Sequence, residues 1–134
     1  MNVHHFLLIS PQDSLARVVM PHVVHGDHLS FAANPLAASA LMRQEPLDAV
    51  FVALEENDEE AAVFCRTIRH FCNAPIVMLV YNSAREQVTR GYRLGADAHI
   101  DLPCDPRIFR ARMSAVMRRA QTAAATAPRA QPSE

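Results

Sequence analysis

Five short runs of apolar residues alternate along the chain with segments whose apolar residues recur at helical spacing. The runs are nearly continuous, as in Ala49–Leu54, where six apolar residues follow Asp48. Strands of this kind are buried on both faces, which is typical of parallel sheets covered by helices on both sides. The predicted strands are His5–Ser10, Asp27–Ala32, Asp48–Leu54, Pro75–Tyr81 and Ala98–Leu102.

The segments between the strands predict five helices. Ala61, Cys65 and Ile68, for example, lie three and four positions apart and mark one apolar face. The predicted helices cover Leu15–Val23, Asn34–Gln44, Ala61–Phe71, Ser83–Leu94 and Asp105–Met117. Alternating strands and helices of this number predict an α/β, flavodoxin-like, doubly wound fold, in which a five-stranded parallel sheet has the order 2-1-3-4-5.

Length and composition restrict the class of protein. The 134 residues predict one domain over 1–120, and the Ala-, Thr- and Pro-rich residues 121–134 predict a flexible tail or linker. No apolar run reaches membrane-spanning length and the first ten residues lack signal-peptide features, so we expect a cytoplasmic protein without membrane contact. The net charge of −1 argues against direct nucleic-acid binding by this domain.

The basic residues and cysteines exclude further kinds of chemistry. All 13 basic residues are Arg, so no mechanism in this chain can use a lysine ammonium. Cys65, Cys72 and Cys104 form no CxxC pair and are expected to be reduced. Three glycines do not make a glycine-rich phosphate loop. We therefore expect no catalytic residue, no cofactor and no metal, and we predict that the chain is not an enzyme.

From Pro46 to Arg119 the chain resembles the second half of a response-regulator receiver domain of the CheY-like superfamily. The matching motifs keep their spacing without a gap. They are Pro46-Leu47-Asp48, Cys65-Arg66, Pro75–Leu79, Leu94–Asp97, Pro103 and Asp105-Pro106. The resemblance implies a signalling module of two-component systems. It leaves open whether the chain is the N-terminal regulatory part of a larger transcriptional or cyclic-dinucleotide regulator.

The resemblance fails at the positions that carry the family's chemistry. A working receiver needs an acceptor Asp, two acidic residues that hold Mg²⁺, a hydroxyl and a Lys before a proline, since metal and ammonium neutralise the transferring phosphoryl group. These positions fall on Ala53, on Ser10 and Pro11, on Val80, and on Leu102. We therefore predict a degenerate receiver, or pseudo-receiver, that accepts no phosphoryl group. The resemblance also predicts a cis Leu102–Pro103 bond.

An acidic run and a histidine cluster offer alternative sites. Glu55–Glu60 holds five carboxylates, which favour the start of a helix but could also bind a cation or imitate a phosphoryl charge. Two alternatives remain open: a small-ligand or metal site in the vacated pocket near Ala53, Glu55, Val80 and Leu102, or phosphorylation of a displaced carboxylate such as Glu55 or Asp58. His22, His25 and His28 lack a predicted partner ligand, and we interpret them as a turn cluster.

A phosphorylation-independent interaction module is the function that the sequence favours. We expect a protein partner or a homodimer to bind the face made by the fourth helix, the fifth strand and the fifth helix. Receivers often use that face, and here arginines lie beside a predicted exposed isoleucine, as at interface centres. The predicted interaction residues are Arg90, Arg93, Asp97, His99, Asp101, Ile108 and Arg112.

Overall fold

The computed structural model describes residues 4–10, 27–44, 46–54, 59–80 and 85–126. Elements keep the numbers of the predicted ones; α1, predicted for Leu15–Val23, lies outside the described residues. The strands are β1 His5–Ile9, β2 His28–Ala32, β3 Ala49–Leu54, β4 Ile76–Val80 and β5 Ala98–Asp101. The helices are α2 Pro35–Gln44, α3 Glu59–Phe71, α4 Arg85–Arg93 and α5 Pro106–Thr126. All strand pairs are parallel and the sheet order is β2-β1-β3-β4-β5, which confirms the predicted fold.

The alternation of side chains along β3 divides the core between the two faces of the sheet. Val50, Val52 and Leu54 pack in the cluster that includes residues of α2 and α3. Ala49 and Phe51 face the other side, where α5 contributes its buried apolar residues. The rings of Phe51 and Phe109 lie 5.9 Å apart between centroids. Because all of β3 is buried, its residues read as one continuous apolar run.

Three aspartates fasten the amino ends of the strands. Asp48 Oδ2 accepts the backbone N–H of His5 at 2.8 Å, and Asp27 Oδ1 accepts that of His4 at 3.0 Å. Asp97 Oδ2 accepts the N–H of Ile76 at 2.8 Å and pairs with the Arg69 guanidinium at 2.6 Å. Hydrogen bonds to a charged acceptor are stronger than neutral ones, so these carboxylates hold neighbouring loops against the sheet.

Two glycines shape the turn from α4 to β5. A Cβ on Gly91 would overlap the sulfur of the buried Met78, so any other residue there would require the Met78 side chain to move. Gly95 has a φ of 122°, a conformation that L side chains rarely adopt, and it follows directly on the last turn of α4. The backbone conformation at Gly95 therefore explains why the Leu94–Asp97 motif contains a glycine.

The last helix extends beyond the predicted end of the domain. Residues 121–126, placed by the sequence in a flexible tail or linker, continue α5 as far as Thr126. Alanine is the best helix former, so the Ala-rich segment favours continuation of an existing helix. Residues 127–134 lie outside the described part of the chain. Among the helices of the described residues, none is long and apolar enough to span a membrane.

Candidate functional site

The four described positions that the resemblance assigns to phosphoryl chemistry meet at the carboxyl edge of the sheet. Ser10 directly follows β1, and its N–H donates to the Ala32 carbonyl at 3.0 Å. Ala53 pairs with Leu79, next to Val80, in the register of β3 and β4. The Leu102 N–H donates to the Val80 carbonyl at 2.9 Å. The parallel order therefore brings these positions to one edge, whereas Pro11 lies outside the described residues.

The side chains at this edge are buried and mostly apolar. The exposed fraction is 8% for Ser10, 3% for Ala53, 3% for Val80 and 7% for Leu102. A methyl, an isopropyl and an isobutyl group offer neither a nucleophile nor a metal ligand, and Ser10 contributes a single hydroxyl. The side chains at this edge therefore pack as part of the hydrophobic core. The Leu102–Pro103 peptide bond beside it is cis, as predicted.

The acidic and histidine candidates are only partly described. Residues 55–58, which carry both displaced carboxylates, lie outside the described residues, as do His22 and His25. Glu60 is exposed at the start of α3, and His28 is exposed on the edge strand β2. Within the described ranges, no three His, Cys, Asp or Glu side chains are grouped to hold a metal ion.

A second group of residues forms what we call the α4–β5–α5 face, the surface where the outer sides of these elements meet. Tyr92 on α4 is 42% exposed and Ile108 on α5 is 50% exposed. The Tyr92 hydroxyl and His99 Nδ1 are 2.7 Å apart, and the two rings meet edge to face with centroids 5.7 Å apart. The face thus presents an aromatic pair and an aliphatic side chain to solvent.

The charges around Tyr92 come from β5 and α5. Desolvation raises the pKa of Tyr92, while Arg119 and Arg112 lower it and Asp101 and Asp97 raise it. These two arginines and two aspartates are near enough to act electrostatically on the Tyr92 phenol. An aromatic group flanked by arginines is the composition of an interface centre.

The predicted interaction residues do not all serve the same purpose. Arg90, Arg93 and Arg112 are exposed, and Ile108 is exposed as the sequence indicates. Asp97 differs, because it lies before β5 at the amino edge of the sheet and its carboxylate already binds Arg69 and the Ile76 N–H. Asp97 therefore stabilises the fold, and any contribution to an interface would come in addition to that.

Sequence reasoning missed Tyr92, the most exposed aromatic residue of this face. A signal was present: Gln87 and Gly91 are the buried residues of α4, and Tyr92 follows Gly91 by one position. One residue corresponds to about 100° around a helix, which turns the ring away from the sheet. Cys104, in the loop before α5, has its pKa raised by partial burial, in line with the absence of any predicted activation of that thiol.

Comparisons with known proteins identify the fold. No family model matches the chain. A crystal structure of a response regulator from Thermotoga maritima superposes with a TM-score of 0.74 at 19% identity, covering 87% of this chain and 99% of that one. The fold is that of a response-regulator receiver domain.

Two curated relatives agree with this receiver fold. The probable transcriptional regulator ycf27 of Cyanidium caldarium is 27% identical over 121 residues, which is 89% of this chain and 48% of the relative. The transcriptional regulatory protein BaeR of Escherichia coli is 33% identical over 78 residues, 58% of this chain and 32% of the relative. The receiver fold described here therefore spans about half or less of the length of these relatives.

Proposed function

We propose that this domain is a signalling module of the response-regulator type that works without phosphorylation, by constitutive protein contact through its α4–β5–α5 face. The observation that carries the proposal is the buried, apolar carboxyl edge, where Ala53 and Leu102 take the places of the acceptor carboxylate and the ammonium. The proposal assigns signalling by contact to the domain rather than catalysis.

The chemistry at the carboxyl edge supports phosphorylation independence. Phosphoryl transfer to a receiver requires a carboxylate nucleophile and positive charge on the transferring oxygens. Ala53 supplies no nucleophile, and the chain contains no Lys anywhere. Val80 and Leu102 fill the site with hydrocarbon that is almost completely buried. A phosphoryl group placed here would lie in an apolar environment without counter-charge, at a prohibitive desolvation cost.

The exposed side chains support contact through the α4–β5–α5 face. Tyr92 and Ile108 expose about half of their surface, although both are apolar enough to belong in a core. Arg93 and Arg112 are exposed around them and can pair with a partner's carboxylates. A second copy of this chain presents the same exposed Tyr92 and Ile108 side chains, so two such faces can cover each other. We therefore take self-association as the form of contact to test.

One experiment tests contact and independence from phosphorylation together. Molar mass is measured by light scattering during gel filtration, with and without beryllofluoride and Mg²⁺. We expect the wild type to self-associate to the same extent in both buffers, and Ile108→Glu with Arg112→Glu to be monomeric in both. Circular dichroism and urea unfolding establish that the variant is folded.

A matched pair on another helix serves as the control. Val63 is 38% exposed on α3 and Arg66 is exposed three residues later, so Val63→Glu with Arg66→Glu makes the same chemical change away from the face. This control is expected to self-associate like the wild type. A monomeric wild type, or a double α5 variant that associates normally, would contradict the proposed face. An increase in mass with beryllofluoride would contradict phosphorylation independence.

A further inference from the structure

A cavity of about 730 Å³ opens where the carboxyl ends of β4 and β5 meet α4. Its apolar wall is formed by Val80, Val88 and Leu102. Small-molecule sites typically have volumes of roughly 300–1,000 Å³, with apolar walls and a few polar groups. The cavity therefore has the size and the wall of a ligand site, and it shares Val80 and Leu102 with the vacated phosphoryl site.

Two opposite charges line the same cavity. Arg85 contributes a guanidinium from the first turn of α4, and Asp101 a carboxylate from the end of β5. Within the described parts of the chain, neither group forms a hydrogen bond or ion pair, and the two are not paired with each other. Both residues are exposed, and opposite charges that line one cavity without pairing can each bind a complementary charge of a single ligand.

Two further polar side chains complete the lining. The Thr89 hydroxyl donates to the Arg85 carbonyl at 3.3 Å, which leaves its oxygen able to accept a hydrogen bond. His99 shares its Nδ1 with the Tyr92 hydroxyl, so Nε2 is the ring nitrogen left for another partner. Thr89 and His99 can thus form hydrogen bonds with a ligand whose charged groups bind Arg85 and Asp101.

We propose that this cavity binds a small zwitterion with an apolar body, of the size of an amino acid or dipeptide. Arg85 binds its carboxylate, Asp101 binds its ammonium, and Val80, Val88 and Leu102 contact its side chains. A purely apolar ligand would cover both charges without pairing them, which is costly. A nucleotide would bring several phosphate charges to one arginine and one opposing carboxylate.

Calorimetric titration with L-leucyl-L-leucine tests the site. We expect saturable binding to the wild type in the millimolar range or tighter. N-acetyl-L-leucyl-L-leucine lacks the ammonium and L-leucyl-L-leucine amide lacks the carboxylate, so each is expected to bind about tenfold more weakly or worse. Arg85→Gln should remove the preference for the free carboxylate and Asp101→Asn the preference for the ammonium. L-leucine alone shows whether one residue is sufficient.

The controls separate this site from the proposed interaction face. Arg66→Gln removes an exposed arginine from α3, away from the cavity, and should leave dipeptide affinity unchanged. Ile108→Glu with Arg112→Glu should also leave it unchanged, since neither residue lines the cavity. The proposal is overturned if the wild type shows no saturable heat, or if the blocked dipeptides bind as well as the zwitterion. Either result leaves the self-association experiment unaffected.

Discussion

The two edges of the sheet differ in how they use polar residues. At the amino edge, Asp27, Asp48 and Asp97 accept backbone N–H groups and hold the fold together. At the carboxyl edge, where the receiver fold carries its chemistry, Ala53 and Leu102 are buried as parts of the core. Asp48 and Asp97, which hold the fold together, match the sequence pattern of the receiver family. The residues at the positions of that family's phosphoryl chemistry do not.

This difference separates two demands that a receiver fold must meet. The amino edge must satisfy N–H groups that strands leave unpaired where they begin, and any sequence with this fold has that requirement. The carboxyl edge needs charged residues only if a phosphoryl group is to be bound. In a domain that binds no phosphoryl group, as proposed for this one, buried charges there would cost free energy, and apolar side chains that fill the space are the more stable solution.

The largest effect is expected from placing a charge at the carboxyl edge. Ala53→Asp inserts a carboxylate where 3% of the side chain is exposed, and no lysine exists to pair with it. We expect a loss of about 3 kcal/mol in the free energy of unfolding at pH 7, measured by urea titration. We also expect no phosphorylation by acetyl phosphate with Mg²⁺, because the acidic metal ligands are missing.

The pH dependence identifies the cause of that loss. Burial raises the pKa of a carboxyl group in the folded state above its unfolded value of about 3.9, so the neutral acid is the better tolerated form. The destabilisation relative to wild type should therefore shrink as the pH falls through the raised folded value towards the unfolded one. Ala53→Asn has a similar shape without the charge, and its effect should not change over the same pH range. A loss for Ala53→Asp that is independent of pH would show that size, not charge, is responsible.

A smaller effect is expected from removing a charge at the amino edge. Asp97→Ala leaves the buried Ile76 N–H without its acceptor and removes the partner of Arg69 at 2.6 Å. We expect a loss of about 2 kcal/mol, typical of an unsatisfied buried donor, measured by urea unfolding. Asp101→Ala removes the same group from the exposed end of β5, and we expect it to stay within about 0.5 kcal/mol of wild type. Equal losses in the free energy of unfolding for Asp97→Ala and Asp101→Ala would contradict the distinction between the amino and carboxyl edges of the sheet.

The fold was predictable because periodicity determines it. Parallel strands that are buried on both faces leave near-continuous apolar runs, and β3 and β4 are of this kind. The apolar pattern of β2 is the weakest of the five strands, because its position at the edge of the sheet leaves His28 and Phe31 exposed. The far end of α5 could not be predicted, because residues 121–126 show no apolar repeat and the helix continues there on alanine propensity.

The candidate site could be predicted from the sequence only in part. The spacing of the motifs that carry the family resemblance was sufficient to place Ala53, Val80 and Leu102 at the ends of neighbouring strands. The contact between Tyr92 and His99 was not predictable, since it joins two elements across a packing distance that no sequence spacing encodes. The cavity between Arg85 and Asp101 depends on the same packing and emerges only in three dimensions.

The smallest expected effect concerns the phenol of Tyr92, whose pKa reports how far the α4–β5–α5 face shields this side chain from water. Desolvation raises its pKa above the ordinary value near 10, and Arg119 and Arg112 offset this only in part. A raised value means that the folded state favours the neutral phenol, so the associated stability is present below pH 10 and is lost as the pH rises through the folded pKa.

The chain has two tyrosines, so Tyr81→Phe leaves Tyr92 as the single phenol for titration by ultraviolet absorbance. We expect its midpoint to lie above that of the same variant unfolded in urea. Arg112→Gln with Arg119→Gln removes the two nearby positive charges and should move the folded midpoint further upward, because the remaining aspartates and the partial burial both favour the neutral phenol. A folded midpoint at or below the unfolded one would mean that the arginines outweigh desolvation, and that the α4–β5–α5 face is wetter and more basic than its packing indicates.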